Sequence, residues 1–461
     1  MKIIVLNGSP KGELSVTMQY VLYLQKKFPD HQLKIINVAQ KIKILEKNQS
    51  KLLDIIEEIK TSDGIIWGFP LYYQLVCSQY KRFIELIFEN NLQGAFKNKY
   101  ASILTTSIKF FDHTAINYIH AISDDLEMNF VDYFSAHMHD LMDKNKRDNL
   151  IQFAKNFFHI IENKLTTIRY YYPIKVQDFQ YQPNLTIDEN DKIDATEKNV
   201  ILITDSLDDK TNLGKMINRF IYCFKNNIKV INLNDLNIKG GCLGCLRCSF
   251  DNHCTYEGKD DFTIFWNNKL KNADIIIFAG KIYDRYLSAK WKMLFDRSFF
   301  NGHVPTLIRK QFGFIISGPF SKIPNLKQIL SSYVEFTESN LVDIITDEFD
   351  NSEKIDMKLL HFATKLIKYS EEDYIRQPSF LYYGGKKIFR DDIYKSMRSI
   401  FQADHRYYKK NGYYDFPKKP FLSRIMMLLF KSKRFRNVVY KDSRMQKEMI
   451  KPLQKIIQKG N

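Results

Sequence analysis

Residues 63–72 read Asp63-Gly64-Ile65-Ile66-Trp67-Gly68-Phe69-Pro70-Leu71-Tyr72, and residues 274–283 read Asp274-Ile275-Ile276-Ile277-Phe278-Ala279-Gly280-Lys281-Ile282-Tyr283. Each is a short, unbroken apolar run, the pattern of a strand buried on both faces. The two align at a shift of 211 residues, and the same shift puts Lys81 on Lys292 and Phe83 on Leu294. Any two buried strands share apolarity. Asp, Tyr and Lys falling in step point instead to one α/β domain written twice.

Working outward, strand-like runs fall at 2–8, 33–38, 64–70, 100–107 and 128–138, with helical periodicity at 16–27, 50–60, 78–89, 113–127 and 145–162. Strands alternating with helices predict right-handed βαβ units and a doubly wound parallel sheet. A polar stretch at 176–199 reads as a linker. The rhythm then restarts, with strands at 199–205, 228–234, 274–282, 311–317 and 341–346 and a helix at 354–369. The expected domains are 1–170, a linker 171–197, a second domain 198–370, and a basic α-helical extension 371–461 that includes one helix over 389–405.

Composition is that of a globular protein: 44% hydrophobic and 26% charged over 461 residues, which excludes disordered and fibrous classes. Six cysteines cannot staple a chain of this length, so a disulfide scaffold is excluded too. Ile3-Ile4-Val5-Leu6 is cut by Asn7-Gly8-Ser9-Pro10, too short for a signal-peptide core, and no run of 18 apolar residues is present. The expected location is the cytosol. Of the formal charge of +17, residues 384–461 carry +15, from 21 Lys+Arg against 6 Asp+Glu. The basic character belongs to the tail.

Two loops carry binding chemistry. Asn7-Gly8-Ser9-Pro10-Lys11-Gly12-Glu13-Leu14-Ser15-Val16-Thr17 joins the first strand to the first helix. Its glycines allow close approach of the backbone, its hydroxyls can bond a ligand, and the helix beyond offers free N–H groups, a combination suited to phosphate. An ordinary capped turn is the other reading. Gly68-Phe69-Pro70-Leu71-Tyr72-Tyr73-Gln74 follows the third strand. In a 2-1-3-4-5 sheet, the ends of strands 1 and 3 flank the point where ligands bind.

With these loops, the N-terminal half resembles the NAD(P)H-dependent FMN reductases, of flavodoxin-like fold with sheet order 2-1-3-4-5. The resemblance implies two tandem flavodoxin-like domains, and FMN held with its phosphate on Ser9, Lys11, Ser15 and Thr17. It places the isoalloxazine beside Pro70, Leu71, Tyr72 and Tyr73, with Thr105 and Ser107 completing the pocket. It also implies NAD(P)H as co-substrate and a quinone, flavin or other small molecule as acceptor, with chemistry borne by the flavin. A non-enzymatic electron carrier reduced by a partner protein is the alternative.

The second half carries Cys242-x2-Cys245-x2-Cys248-x5-Cys254 among Gly240, Gly241 and Gly244. Four thiolates so close could wrap a 4Fe–4S cluster, as the spacing of iron–sulfur flavoproteins resembles; zinc and a metal-free loop are the other readings. That half has lost the Gly-Ser-Pro loop. It begins Thr204-Asp205-Ser206-Leu207-Asp208-Asp209, whose acids would repel a phosphate. One flavin per chain is therefore expected, in the first domain, with the second as a diverged partner in an intramolecular pseudo-dimer. Cys77 and Cys223 read as buried small hydrophobes, and His113 as a residue at a helix start. In the tail, 421–440 joins an apolar block to Lys431, Lys433, Arg434 and Arg436. That composition suggests peripheral contact with anionic membrane; a solvated basic helix whose apolar side docks on the protein is the other reading, and no module specific for nucleic acid is present.

Overall fold

The computed structural model describes residues 1–175, 178–348, 351–417, 421–440 and 444–459. Val176 and Gln177 of the expected linker lie outside them, as do 418–420, 441–443 and 460–461 of the tail and the side chains of 421–424, 444–446, 448 and 459. The chain divides into two compact units, Met1–Asn411 and Gly412–Asn461.

The first half of the large unit runs β1 (Lys2–Asn7), α1 (Val16–Lys27), β2 (Gln32–Ile36), α2 (Ile42–Lys47), α3 (Gln49–Lys60), β3 (Gly64–Pro70), α4 (Ser78–Glu89), β4 (Tyr100–Ser107), α5 (Asp112–Asp125), β5 (Asn129–His137) and α6 (Lys144–Glu162). The second half runs β6 (Val200–Thr204), α7 (Asn212–Tyr222), β7 (Lys229–Asn232), α8 (Phe262–Phe265), β8 (Ile275–Lys281), α9 (Ala289–Arg297), β9 (Gln311–Ser317), α10 (Pro324–Phe336), β10 (Asn340–Thr346) and α11 (Ser352–Glu371). Each half forms a five-stranded sheet, ordered β2-β1-β3-β4-β5 and β7-β6-β8-β9-β10, with every pair parallel. Both are doubly wound, and both carry the expected 2-1-3-4-5 order. The central strands are apolar on both faces because helices cover both: Ile65, Trp67, Ile276 and Phe278 face one core, while Val5, Ile66, Ile275 and Ile277 face others.

The 211-residue shift holds from β3/β8 through β5/β10. Before β3 the halves are offset by about 15 residues less, because the connection from β7 to β8 is longer than that from β2 to β3. The first domain fills its connection with α2 and α3; the second spends it on the cysteine segment. Helices α4 and α9 pack against each other and exchange matching bonds. Ser78 N–H donates to Asp296 Oδ2 (2.7 Å), and Ala289 N–H to Glu85 Oε1 (2.6 Å). Within each helix a buried lysine pairs with that carboxylate, Lys81 with Glu85 (2.7 Å) and Lys292 with Asp296. Ser78 and Ala289, Lys81 and Lys292, and Glu85 and Asp296 are each 211 residues apart. The contact is thus locally two-fold, as in an isologous interface between like subunits.

The segment expected as a linker is tied down rather than slack. Tyr181 is fully buried, its hydroxyl bonds Asp356, and Asn184 N–H donates to the same carboxylate (2.9 Å) while Arg219 pairs with it (3.1 Å). Beyond α11 the single helix expected at 389–405 is two, α12 (Phe380–Asp392) and α13 (Gln402–Lys410), separated by a wide turn at Ile393–Met397. The small unit holds α14 (Phe421–Leu429), α15 (Lys433–Tyr440) and α16 (Arg444–Lys459). Among the described residues no helix is long and apolar enough to cross a membrane.

Candidate active site

Asn7 ends β1 and shapes the first loop, with its side-chain amide donating to Gly12 O (3.0 Å) and its carbonyl accepting from Ser9 N–H (3.0 Å). Gly12 has a φ of +59°, and a Cβ there would strike Gln40. At Gly8 a Cβ would fall 2.4 Å from the Tyr80 ring, so only glycine lets α4 pack this closely. Beyond the loop α1 begins at Val16. Ser15, at its N-cap position, makes no side-chain capping bond, and its buried hydroxyl has no partner. A buried, unpaired hydroxyl at the positive end of a 12-residue helix is where an anion would be welcome.

The loop after β3 is a tight reversal. Tyr72 and Leu75 exchange backbone bonds (2.8 and 3.0 Å) around Tyr73 and Gln74, both at positive φ. Three contacts hold that strained turn. Leu71 N–H donates to Thr106 O (3.0 Å), Thr114 Oγ1 donates to Gln74 O (2.6 Å), and Gln74 Nε2 donates to Ser332 Oγ of the second domain (2.9 Å). Tyr73 packs against Tyr333, also of the second domain, with ring centroids 5.6 Å apart. Burial keeps the Tyr72 and Tyr73 phenols protonated, well above the ordinary tyrosine range.

These loops meet at one cavity of about 260 Å³. Ser9, Lys11, Ser15, Pro70, Leu71, Tyr72, Tyr73 and Ser107 of the expected residues line it. Thr17 and Thr105 do not. Thr17 Oγ1 instead bonds Thr106 Oγ1 (2.7 Å), and it is Thr106 that reaches the cavity. Thr105 is fully buried with its hydroxyl unpaired. His113 lies outside the lining, paired with Gln328 (2.9 Å). Cys77 is buried and donates to Gly8 O (3.1 Å), its thiol pushed up to about 12 by burial, and Cys223 is buried with its thiol at about 11.

The rest of the wall comes from elsewhere in the large unit. Cys242, Gly244, Phe299 and His303 are contributed by the second domain, and Phe389, Ile393, Met397 and Phe401 by the segment after α11. The wall is knit by aromatic contact: Phe389 lies 3.7 Å from the His303 ring and 4.7 Å from Phe110, centroid to centroid. His303 N–H donates to Asp404 of α13 (2.5 Å), which fastens α13 to the second domain. The run Phe389 to His405 was legible as helical. Nothing in its sequence pointed to this cavity.

The cysteine segment reaches the cavity through its glycines. A Cβ on Gly241 would lie 2.1 Å from Ser78 Oγ, and one on Gly244, at φ +62°, 2.0 Å from the Tyr72 hydroxyl and 3.0 Å from Lys11 Cε. Gln79 Nε2 donates to Cys242 O (3.1 Å), fixing the segment to the start of α4. Among the described residues no group of three or more His, Cys, Asp or Glu stands close enough to hold a metal ion. The expectation of a metal on Cys242, Cys245, Cys248 and Cys254 is therefore not met by this arrangement, although the four border one small cavity beside Tyr256 and Arg297. Cys245 is exposed and Cys248 donates to Phe299 O (3.6 Å), while Cys242 accepts from Gly244 N–H (3.4 Å).

The equivalent point of the second domain is built differently. Thr211 caps α7 itself: its hydroxyl accepts Gly214 N–H (3.1 Å) and donates to Asp208 O (2.7 Å). The Asp208 main chain lies over the helix start, where a Cβ on Gly214 would meet it at 2.1 Å. Asp205 stands in place of Gly8, bonded to Ser288, and burial raises its carboxyl above the ordinary range. Both features work against an anion.

A sequence family described as flavodoxin-like fold matches residues 1–157. The match spans about a third of the chain, and the parallel sheet of order β2-β1-β3-β4-β5 in the same residues agrees with it in fold. Similar solved structures include FerB, a flavoenzyme NAD(P)H:(acceptor) oxidoreductase from Paracoccus denitrificans (17% identity, TM-score 0.31, covering 35% of this chain and 97% of that one). Others are the NADH:FMN oxidoreductase EMOB in its apo form (19%, 0.30, 37% and 94%) and an azoreductase from Bacillus anthracis (10%, 0.25, 35% and 98%). No curated protein matches the chain. The flavodoxin-like domain thus supplies the phosphate-type loop and the Pro70–Tyr73 turn, and the rest of the large unit supplies the covering wall.

Proposed function

We propose that this chain is an NAD(P)H-dependent flavin oxidoreductase holding one FMN in the cavity of its flavodoxin-like domain. The observation that carries this reading is the start of α1, where the buried, unpaired Ser15 hydroxyl faces the same cavity as Lys11 and the Pro70–Tyr73 turn. A bound FMN would supply hydride acceptance from a nicotinamide and electron transfer to an acceptor. The residues present fit it. Ser9, Lys11 and Ser15 would hold the phosphate, and Pro70, Leu71 and Tyr72 would flank the ring. The neutral Tyr72 phenol can donate a hydrogen bond there without adding negative charge. No step is assigned to the four cysteines; their segment is a wall of the site.

The second domain serves as the partner that completes the pocket, an arrangement that resembles a dimer folded into one chain. The aromatic wall of Phe110, Phe299, Phe389 and Phe401 favours a flat small acceptor such as a quinone or a flavin over a protein. The test is anaerobic mixing of the flavin-loaded protein with NADH or NADPH, followed by menadione. Bleaching of the flavin absorbance by a nicotinamide and its return with menadione are expected. Absence of bleaching by either nicotinamide, with ready reduction by dithionite, would establish an electron carrier instead.

A further inference from the structure

The small unit, Gly412–Asn461, is not explained by the flavin site. It carries 13 Lys+Arg against 3 Asp+Glu in 50 residues, the steepest charge bias in the chain. Its helices α14 and α15 are held together locally. Phe430 packs against Phe435 and Tyr440 (5.3 and 6.1 Å), and Arg436 donates to the carbonyls of Phe430 (2.7 Å) and Lys431 (3.1 Å) at the end of α14. What these contacts leave outside is apolar. Ile425, Met426, Met427, Leu428 and Leu429 on α14 are all exposed, Met427 by 66%.

Helix α16 is ordered in the same way but more sharply. At about 100° per residue, Met449, Ile450, Leu453, Ile456 and Ile457 fall within one arc of roughly 120°. All five are exposed, Ile457 by 76% and Met449 by 68%. Lys447, Lys451 and Lys455 fall on the opposite arc by the same spacing. At ~1.5 Å per residue the 16 residues of α16 span about 24 Å, less than a bilayer core of ~30 Å.

We infer that this unit docks on the surface of a bilayer containing anionic lipid, α14 and α16 lying in the interface with the apolar side chains of α14 and the apolar arc of α16 sunk among the acyl chains. Two independent features select that occupant. The positive charge complements anionic headgroups, and the exposed Leu, Ile and Met side chains need an apolar medium, which a nucleic acid backbone does not offer. An interfacial helix satisfies both at once and needs no spanning length.

The test uses the full-length protein and vesicle flotation in 0.1 M salt, with vesicles of phosphatidylcholine alone or with about a third phosphatidylserine. Roughly tenfold more protein is expected to float with the anionic vesicles. The exposed-face variant Leu453→Glu/Ile456→Glu/Ile457→Glu and the charge variant Lys431→Gln/Lys433→Gln/Lys447→Gln/Lys455→Gln should each lose most of that difference. Circular dichroism melting of each checks that the fold persists. Failure of the wild type to float with anionic vesicles overturns the inference, as does undiminished flotation of either variant. Salt-sensitive binding of a DNA duplex without flotation would overturn it in favour of a nucleic-acid partner.

Discussion

The two domains share a strand order and a residue spacing but present opposite surfaces at their switch points. In the first, Ser15 leaves the start of α1 uncapped and Gly8 keeps the loop slim enough for Tyr80 to pack on it. In the second, Thr211 satisfies its own helix, the Asp208 main chain covers it, and Asp205 occupies the position of Gly8. The shared fold thus leaves the two helix starts different: one hydroxyl is unpaired, the other is used as a cap. The second domain contributes to the cavity in another way. Its longer β7–β8 connection reaches across α4 and walls the first domain's cavity.

The largest test of that contrast moves an acid between domains. Lys11→Asp gives the first loop the charge that Asp208 gives the second, and FMN affinity should fall by roughly 1000-fold, since a cation beside a phosphate becomes an anion. Asp208→Lys should leave FMN content unchanged, with both measured by flavin released on denaturation.

The interface gives the next effect. Lys81 is paired with two carboxylates, Glu85 (2.7 Å) and Asp284 (2.9 Å), and although its burial opposes charge, they hold its ammonium above the ordinary lysine value. Among the described residues, Lys292 pairs with one carboxylate, Asp296, and donates to the Tyr72 carbonyl (3.0 Å). Asp296→Asn should therefore cost about 3 kcal/mol in urea unfolding, and Glu85→Gln distinctly less, because a buried cation left without a carboxylate is the costly state. Equal losses would show that the two halves of the interface are energetically alike.

A smaller effect separates two glycines of the cysteine segment. Gly244→Ala should weaken FMN binding roughly tenfold, because the new methyl group would push Tyr72 and Lys11 from the cavity. Gly258, at φ +71° but in open space, should on substitution by alanine cost only ~1 kcal/mol of stability and no affinity.

The smallest concerns pH. His120 lies under Phe130 with ring centroids 3.7 Å apart, and burial lowers its imidazole from 6.5 to about 4. The residue 211 positions on is Ser331. A depressed imidazole means that the neutral ring's contribution to stability is complete above the unfolded value of 6.5 and is lost as pH falls towards 4. His120→Ser should flatten the stability profile in that window. Asp124, 3.6 Å away, titrates in the opposite sense because burial raises its carboxyl, and both proteins retain it.

The repeat was readable because β3 and β8 carry polar markers as well as apolar runs, and the elements between them keep one spacing. Glycine, serine and proline at the end of β1 also suit an ordinary capped turn; what adds to them is that the Pro70–Tyr73 turn meets the same cavity. Thr17 and Thr105 were harder, since whether a threonine at a helix start or strand end faces a ligand or a neighbour depends on register, and here Thr17 bonds Thr106. The cover from Cys242, His303, Phe389 and Phe401 was not readable at all. These residues come from three distant stretches of chain, and aromatic residues give no local sign of which cavity they close. The cysteine spacing suggested a metal, whereas the backbone here lays the segment along α4 and leaves Cys245 exposed.

On the proposed function, the chain holds one flavin, in the first of its two doubly wound domains. FMN per chain, by released flavin against amino-acid analysis after saturation with FMN and removal of the excess, tests this most directly. One per chain is expected, falling to none in Lys11→Asp. Two per chain, or one that survives Lys11→Asp, would contradict it.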